Sequence, residues 1–128
     1  MSKSKKIPAN IVWFEIPADK PERAKKFYGQ LFGWKINPIP GMGGYQHIDT
    51  GGADASPDGG MMQRVCPGQS ITTYIRVPSV TRAMVKVKKL GGKICKARTV
   101  VPGMGCFALC LDTEKNMFAV WEVNMKAK

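Results

Sequence analysis

Residues 10–36 read NIVWFEIPADKPERAKKFYGQLFGWKI and residues 70–94 read SITTYIRVPSVTRAMVKVKKLGGKI; the order of periodicities the two stretches share decides the fold. Each opens with a run of strand character and passes into a helical pattern that stops at glycine. In the first, Ala24, Phe27, Tyr28 and Leu31 recur at i, i+3, i+4 and i+7, with Arg23, Lys25, Lys26 and Gln30 on the other face and Gly33 at the end. In the second, Val80, Ala83, Met84 and Val87 make the same stripe, and Gly91-Gly92 closes it. Asp19 with Glu22 has the spacing of an N-cap and its reciprocal partner, and Ser79 stands where it can cap the second helix.

Three short strand candidates follow each helix: WKIN, YQHIDT and GMMQRV in the first half, KICK, CFALCLDT and MFAVWEV in the second. The copies keep register. Ala24 and Ala83, Leu31 and Leu90, and Gly33 and Gly92 are each 59 residues apart; the PGMG stretches at 40–43 and 102–105 are 62 apart, and Asp49-Thr50 stands 63 before Asp112-Thr113. The pattern predicts an α+β fold of two βαβββ modules, about 8–66 and 69–123, inside a single domain spanning 1–128. One sheet with one helix can bury its apolar face only against its copy, so neither module is expected to stand alone. Neither PGMG opens a helix or carries the Gly-Lys-Ser/Thr that grips phosphate, so both are read as turns into the third strand of a module, with Pro setting φ and glycine permitting positive φ.

A chain of 128 residues is long enough for one core without staples. No apolar run reaches a membrane span, and MSKSKK leads into a segment with no long apolar region or small-residue cleavage site, so a soluble, cytoplasmic protein is expected. Cys66, Cys95, Cys106 and Cys110 form no C-x-x-C pair and have one histidine, His47, to join them, so they are expected to be reduced core or near-core thiols. Cys106 and Cys110 would lie about 13 Å apart along one strand, too far for a bridge. The formal charge is +11. It favours anionic partners, but the basic residues are dispersed and not interleaved with aromatics, which argues against a dedicated nucleic-acid site.

The stretches VWFEIPADKPERAKKFYGQLFGWKI, TTYIRVPSVTRAMVKVKKLGGKI and VPGMGCFALCLDTEKNMFAVWE resemble the glyoxalase, bleomycin-resistance and extradiol-dioxygenase (vicinal oxygen chelate) superfamily. FYGQLFGW and DTEKNMFAVWE, the latter similar to a DPxGN turn and final strand, carry the resemblance most specifically. It implies two βαβββ modules whose mixed sheet curls into a cup, a homodimer, and a ligand bound in the cup. It also implies a divalent metal held by His, Glu or Gln from the first and last strands of each module. Counted from the motifs, those positions fall at Trp13, Gly60, Thr72 and Ala119, none an ordinary metal ligand. A slip of one residue, to Val12, Met61, Thr73 or Val120, restores no site.

The expected site is therefore metal-free and takes no cofactor. Strand alternation lines it with Trp13, Glu15, Met62, Arg64, Thr72, Tyr74, Arg76, Met117 and Trp121, an aromatic and Met-rich surface with a few polar groups. Glu15 and Tyr74 are the candidates for acid–base work. Glu15 is equally readable as a buried carboxylate paired with Arg64, Arg76 or the Tyr74 hydroxyl. His47, with Tyr45 and Asp49 at alternate positions, reads as a structural histidine at the border of the pocket. The expectation is a small-molecule-binding protein for an apolar or anionic compound. The alternatives are a lyase or isomerase acting through Glu15 and Tyr74 or an unidentified metal site, and a basic accessory module for nucleic acid or an acidic protein.

Overall fold

The computed structural model describes residues 8–52, 57–65 and 68–127. Its elements run β1 (Ile11–Ala18), α1 (Pro21–Phe32), β2 (Lys35–Pro38), β3 (Gln46–Asp49), β4 (Asp58–Gln63), β5 (Thr72–Arg76), α2 (Val80–Lys89), β6 (Lys93–Val101), β7 (Gly105–Leu111) and β8 (Met117–Val123). This is βαβββ written twice, the α+β order read from the sequence. Packing divides the described residues into two compact units, one within Val12–Thr73 and a second that joins 8–11 with 74–127.

In the first unit the strands lie in the order β2-β3-β4-β1. β1 and β4 are parallel, with Trp13 opposite Asp58 and Glu15 opposite Gly60, whereas β2, β3 and β4 pair antiparallel, so the sheet is mixed. A parallel pair needs a long crossover, here α1, β2 and β3. Ile16, Ala18, Ile36, Ile48 and Met61 are buried together, with Phe14, Ala24, Tyr28 and Trp34 packed against them. Alternation along β1 thus turns Phe14, Ile16 and Ala18 towards α1 and leaves Trp13 and Glu15 on the helix-free face.

Helix α1 departs from the sequence reading at both its start and its face. Its N-cap is Lys20, with no side-chain cap and Pro at the first turn, where a missing N–H costs nothing. Asp19 does not cap; its Oδ1 accepts from Arg64 Nε at 2.8 Å. Phe27 and Leu31 are 58% exposed. The helix meets the sheet through Ala24 and Tyr28, because the Tyr28 ring stacks on Trp34 (5.5 Å, 15°) and Phe32 leans on the same indole (5.0 Å), rolling the contact face away from Phe27. Gly33 ends the helix with φ 76°, its N–H on the Gly29 carbonyl.

The second unit has the order β5-β8-β7-β6. Val80, Cys106, Ala108, Cys110 and Val120 form its buried centre, with Ala83, Met84 and Val87 of α2 packed on them, so here the stripe read from the sequence faces the core. Ser79 caps α2, its side chain accepting from Arg82 N–H at 3.1 Å, and the Glu122 carboxylate takes the Val80 N–H at 2.9 Å, satisfying two donors that the first turn leaves open. β6 runs five residues beyond the expected KICK, with register shifts after Ile94 and Lys96, because Thr99, Val100 and Val101 pair back onto Phe107, Cys106 and Gly105.

Both PGMG stretches are turns into a third strand, with Gly41 at φ 77° and Gly103 at φ 76°. Cys95, Cys106 and Cys110 are free thiols, and Cys66 lies outside the described residues. Among the described residues no helix is long and apolar enough to cross a membrane.

Candidate functional site

The helix-free face of the first unit gathers most of its chemistry. Trp13 and Glu15 project from β1, and Tyr45 is delivered beside them by the glycine turn, whose closing bonds run from Ile39 N–H to the Tyr45 carbonyl and from Tyr45 N–H to the Met42 carbonyl. Trp13 Nε1 donates to Tyr45 Oη at 2.9 Å, and Tyr45 Oη donates to Glu15 Oε2 at 2.8 Å. Burial first, then the charge of Glu15, pushes the Tyr45 phenol far above its ordinary range. The hydroxyl therefore keeps its proton and stays a donor to the carboxylate.

This chain of bonds occupies the space over Gly60. A Cβ built at Gly60 would overlap the Tyr45 hydroxyl and the ring carbons behind it. Glycine is required here by a side chain arriving from the turn before β3, not by its own backbone.

Next to this group the His47 ring stacks against Trp13 (5.8 Å between centroids, 25° between planes). His47 Nε2 lies 3.1 Å from Asp58 Oδ2. Asp58 Oδ1 accepts from the Thr50 N–H at 3.2 Å and lies 3.3 Å from the Thr50 hydroxyl, which also reaches the Pro57 carbonyl. The carboxylate is thus held from one side and holds the imidazole with the other.

The four positions where the superfamily resemblance implies metal ligands do not suit a cation. Trp13 has no lone pair to give and commits its N–H to Tyr45, and Gly60 has no side chain and no room for one. Thr72 is buried, with its hydroxyl on the Ser70 carbonyl, and Ala119 is fully buried. Among the described residues no three His, Cys, Asp or Glu side chains come together in a manner that could hold a metal ion.

In the second unit the corresponding pair meets ring to ring. Tyr74, 59 residues after Glu15, meets Phe107, 62 residues after Tyr45, with ring centroids 5.9 Å apart. Trp121 lies opposite Phe107 and Met117 opposite Leu111 across β7 and β8, and Lys96 Nζ sits 5.7 Å from the Phe107 centroid. Each module therefore sets a group from its first strand against an aromatic ring at its third, a polar contact in one copy and a ring contact in the other.

The residues named from sequence divide between the two units. Trp13 and Glu15 join one hydrogen-bonded group, and Met62 shares the Gly60 face of β4. Arg64, just past the end of β4, is committed to Asp19 and to the Gln69 and Pro17 carbonyls. Tyr74, Met117 and Trp121 belong to the second unit, as does Arg76, whose N–H donates to the Asn10 carbonyl. Tyr45 and Asp58 were not among the candidates. Two signals pointed to Tyr45: it aligns with Phe107 in the repeat, and a strand glycine at position 60 leaves a hole that a large side chain must fill. Asp58 gave no signal, because only the pairing of β4 with both β1 and β3 brings it to the site.

A family model described as bleomycin resistance protein-like N-terminal matches residues 10–51. A glyoxylase-like domain-containing protein of Didymella fabae is 34% identical over 120 residues, covering 89% of this chain and 94% of that protein. A Mycobacterium tuberculosis protein provisionally named glyoxylase CFP32 is 28% identical over 117 residues, and the chain spans 45% of its length. Among solved structures, a glyoxalase/bleomycin resistance protein/dioxygenase superfamily member from Vibrio splendidus shares the fold with a TM-score of 0.65 at 10% identity, covering 90% of this chain and 99% of that one.

Proposed function

Starting from the fact that this chain belongs to the glyoxalase/bleomycin-resistance/dioxygenase superfamily, we propose that it is a metal-free member that binds a small molecule on the aromatic, helix-free surface of its sheet. One observation carries this reading: the Tyr45 hydroxyl, bonded to Trp13 and Glu15, stands where a ligating side chain at Gly60 would have to be. A fixed phenol and indole in place of a metal make a surface suited to a planar or apolar compound oriented by a few polar atoms. The charge of +11 favours an anionic ligand over a cationic one.

Titration calorimetry with Ni²⁺, Zn²⁺ and Fe²⁺, with elemental analysis of protein purified without added metal, tests the reading. No stoichiometric tight site is expected; one bound ion per chain overturns it. Mass spectrometry of a denaturing extract then seeks a retained compound.

The reading includes a homodimer, supported by the superfamily resemblance and by the exposed apolar side chains Phe27, Leu31 and Phe32 on α1. Sedimentation equilibrium should give twice the chain mass, and Phe27→Glu should lower it. The names of the fungal and mycobacterial relatives favour a second reading, lyase or isomerase chemistry on an oxygenated small molecule through Glu15. It predicts turnover that survives chelation and is lost in Glu15→Gln.

A further inference from the structure

We propose that His47 and Asp58 form a base-and-carboxylate dyad that removes a proton from a planar, conjugated carbon acid lying against the exposed part of the His47 ring. Three features carry this. Asp58 is fixed before the imidazole meets it, because its Oδ1 is taken by the Thr50 N–H, with the Thr50 hydroxyl beside it, leaving Oδ2 aimed at His47 Nε2, 3.1 Å away. A carboxylate only accepts, so Nε2 of the neutral ring must carry the hydrogen, and the lone pair then lies on Nδ1. The His47 side chain is 40% exposed, which leaves part of the ring open to a visiting molecule, and its stacking on the Trp13 indole, 5.8 Å between centroids and 25° between planes, fixes the orientation of the imidazole.

His47 is the base, and Asp58 and Thr50 are positioning residues that set its tautomer and orientation. The chemistry closes without a co-reactant. Nδ1 takes the proton of a C–H bond next to a carbonyl, the electron pair is delocalised into the conjugated system, and the imidazolium returns the proton to the same or a neighbouring carbon. The product is an isomer of the substrate. The proposal rests on the reading that this face receives a small molecule.

5-Nitrobenzisoxazole probes the two layers separately, because it is flat and opens in one base-promoted step. The base takes the ring C–H proton, the C–N bond becomes a nitrile, and the N–O bond breaks to release a coloured phenolate. The wild-type chain should bind the probe saturably, read as quenching of tryptophan emission, and turn it over with kcat/KM at least ten-fold above that of His47→Gln. Asp58→Asn should lower kcat several-fold with KM changed less than two-fold. His47 is the only histidine, so its ¹⁵N shifts report one ring: the wild type should show the Nε2–H tautomer and Asp58→Asn should lose that preference. Folding of both variants is checked by circular dichroism. Saturable binding with turnover equal to that of His47→Gln overturns the dyad alone, as does an Nδ1–H tautomer in the wild type. Absence of both binding and turnover overturns the dyad and the small-molecule face together.

Discussion

The hydroxyl of Tyr45 occupies the volume that a side chain at Gly60 would fill, and it is pinned there by a 2.9 Å bond from Trp13 and a 2.8 Å bond to Glu15. Gly60→Ala must therefore displace the phenol or shift β4. The expected loss is about 1–3 kcal/mol, the usual cost of overpacking a filled site. In a Tyr45→Ala background the same substitution should cost at least about 1 kcal/mol less, because the obstacle is gone. A double-mutant cycle by urea unfolding measures the coupling, and a value near zero would show that the two residues do not compete for that space.

Lys115 lies in the DTEKN turn with φ 68°, a left-handed conformation that a lysine adopts at a cost. In the DPxGN pattern this turn resembles, the position is glycine. Lys115→Gly should stabilise the protein by about 0.5–1 kcal/mol, the relief of left-handed strain less the added freedom of the unfolded chain. The thermal midpoint should rise by about 2–4 °C. An unchanged or lower midpoint would show that Lys115 contributes a contact outweighing its strain.

The same turn has a pH signature. Asp112 Oδ1 accepts from the Glu114 N–H at 2.8 Å and the Asn116 N–H at 2.9 Å, and these bonds, that from Asn116 foremost, hold its carboxyl below the usual range. A carboxyl lowered by folding stabilises above its unfolded value of about 3.9, and that contribution disappears as pH falls through the folded value. Asp112→Asn should therefore melt below the wild type at pH 7, with the gap narrowing as the pH is taken below 3. A gap that persists unchanged in acid would exclude the charge as its source.

The thiols should separate by reactivity. Cys106 is buried, and burial first, then the nearby Glu122 carboxylate, raises its pKa; its Sγ lies 3.7 Å from Glu122 Oε1. Cys110 is also buried and raised, while Cys95 on β6 is exposed. A brief iodoacetamide pulse at pH 8, read by peptide mass spectrometry, should label Cys95 well over ten-fold faster than Cys106 and Cys110. Comparable labelling of Cys106 would mean that the β7–β8 pairing opens readily.

The duplicated architecture, the helix stops at Gly33 and Gly91-Gly92, the Ser79 cap and the turn role of both PGMG stretches were legible in the sequence. Each depends on local periodicity or on the backbone freedom of one residue, and these are properties a short segment carries with it. That Trp13, Gly60 and Ala119 bring no side-chain donor to a metal was legible too, because a side chain without donors cannot acquire them by folding. What required the tertiary structure was every relationship between strands. Asp19 turned from a helix cap to an Arg64 partner because β4 ends beside it, and Phe27 turned outward because Trp34, seven residues on, captured Tyr28. Tyr45 came to stand over Gly60, and Asp58 to hold His47, through strand registers that no single segment encodes. Periodicity specifies which face a residue takes; only pairing specifies which residue it meets there.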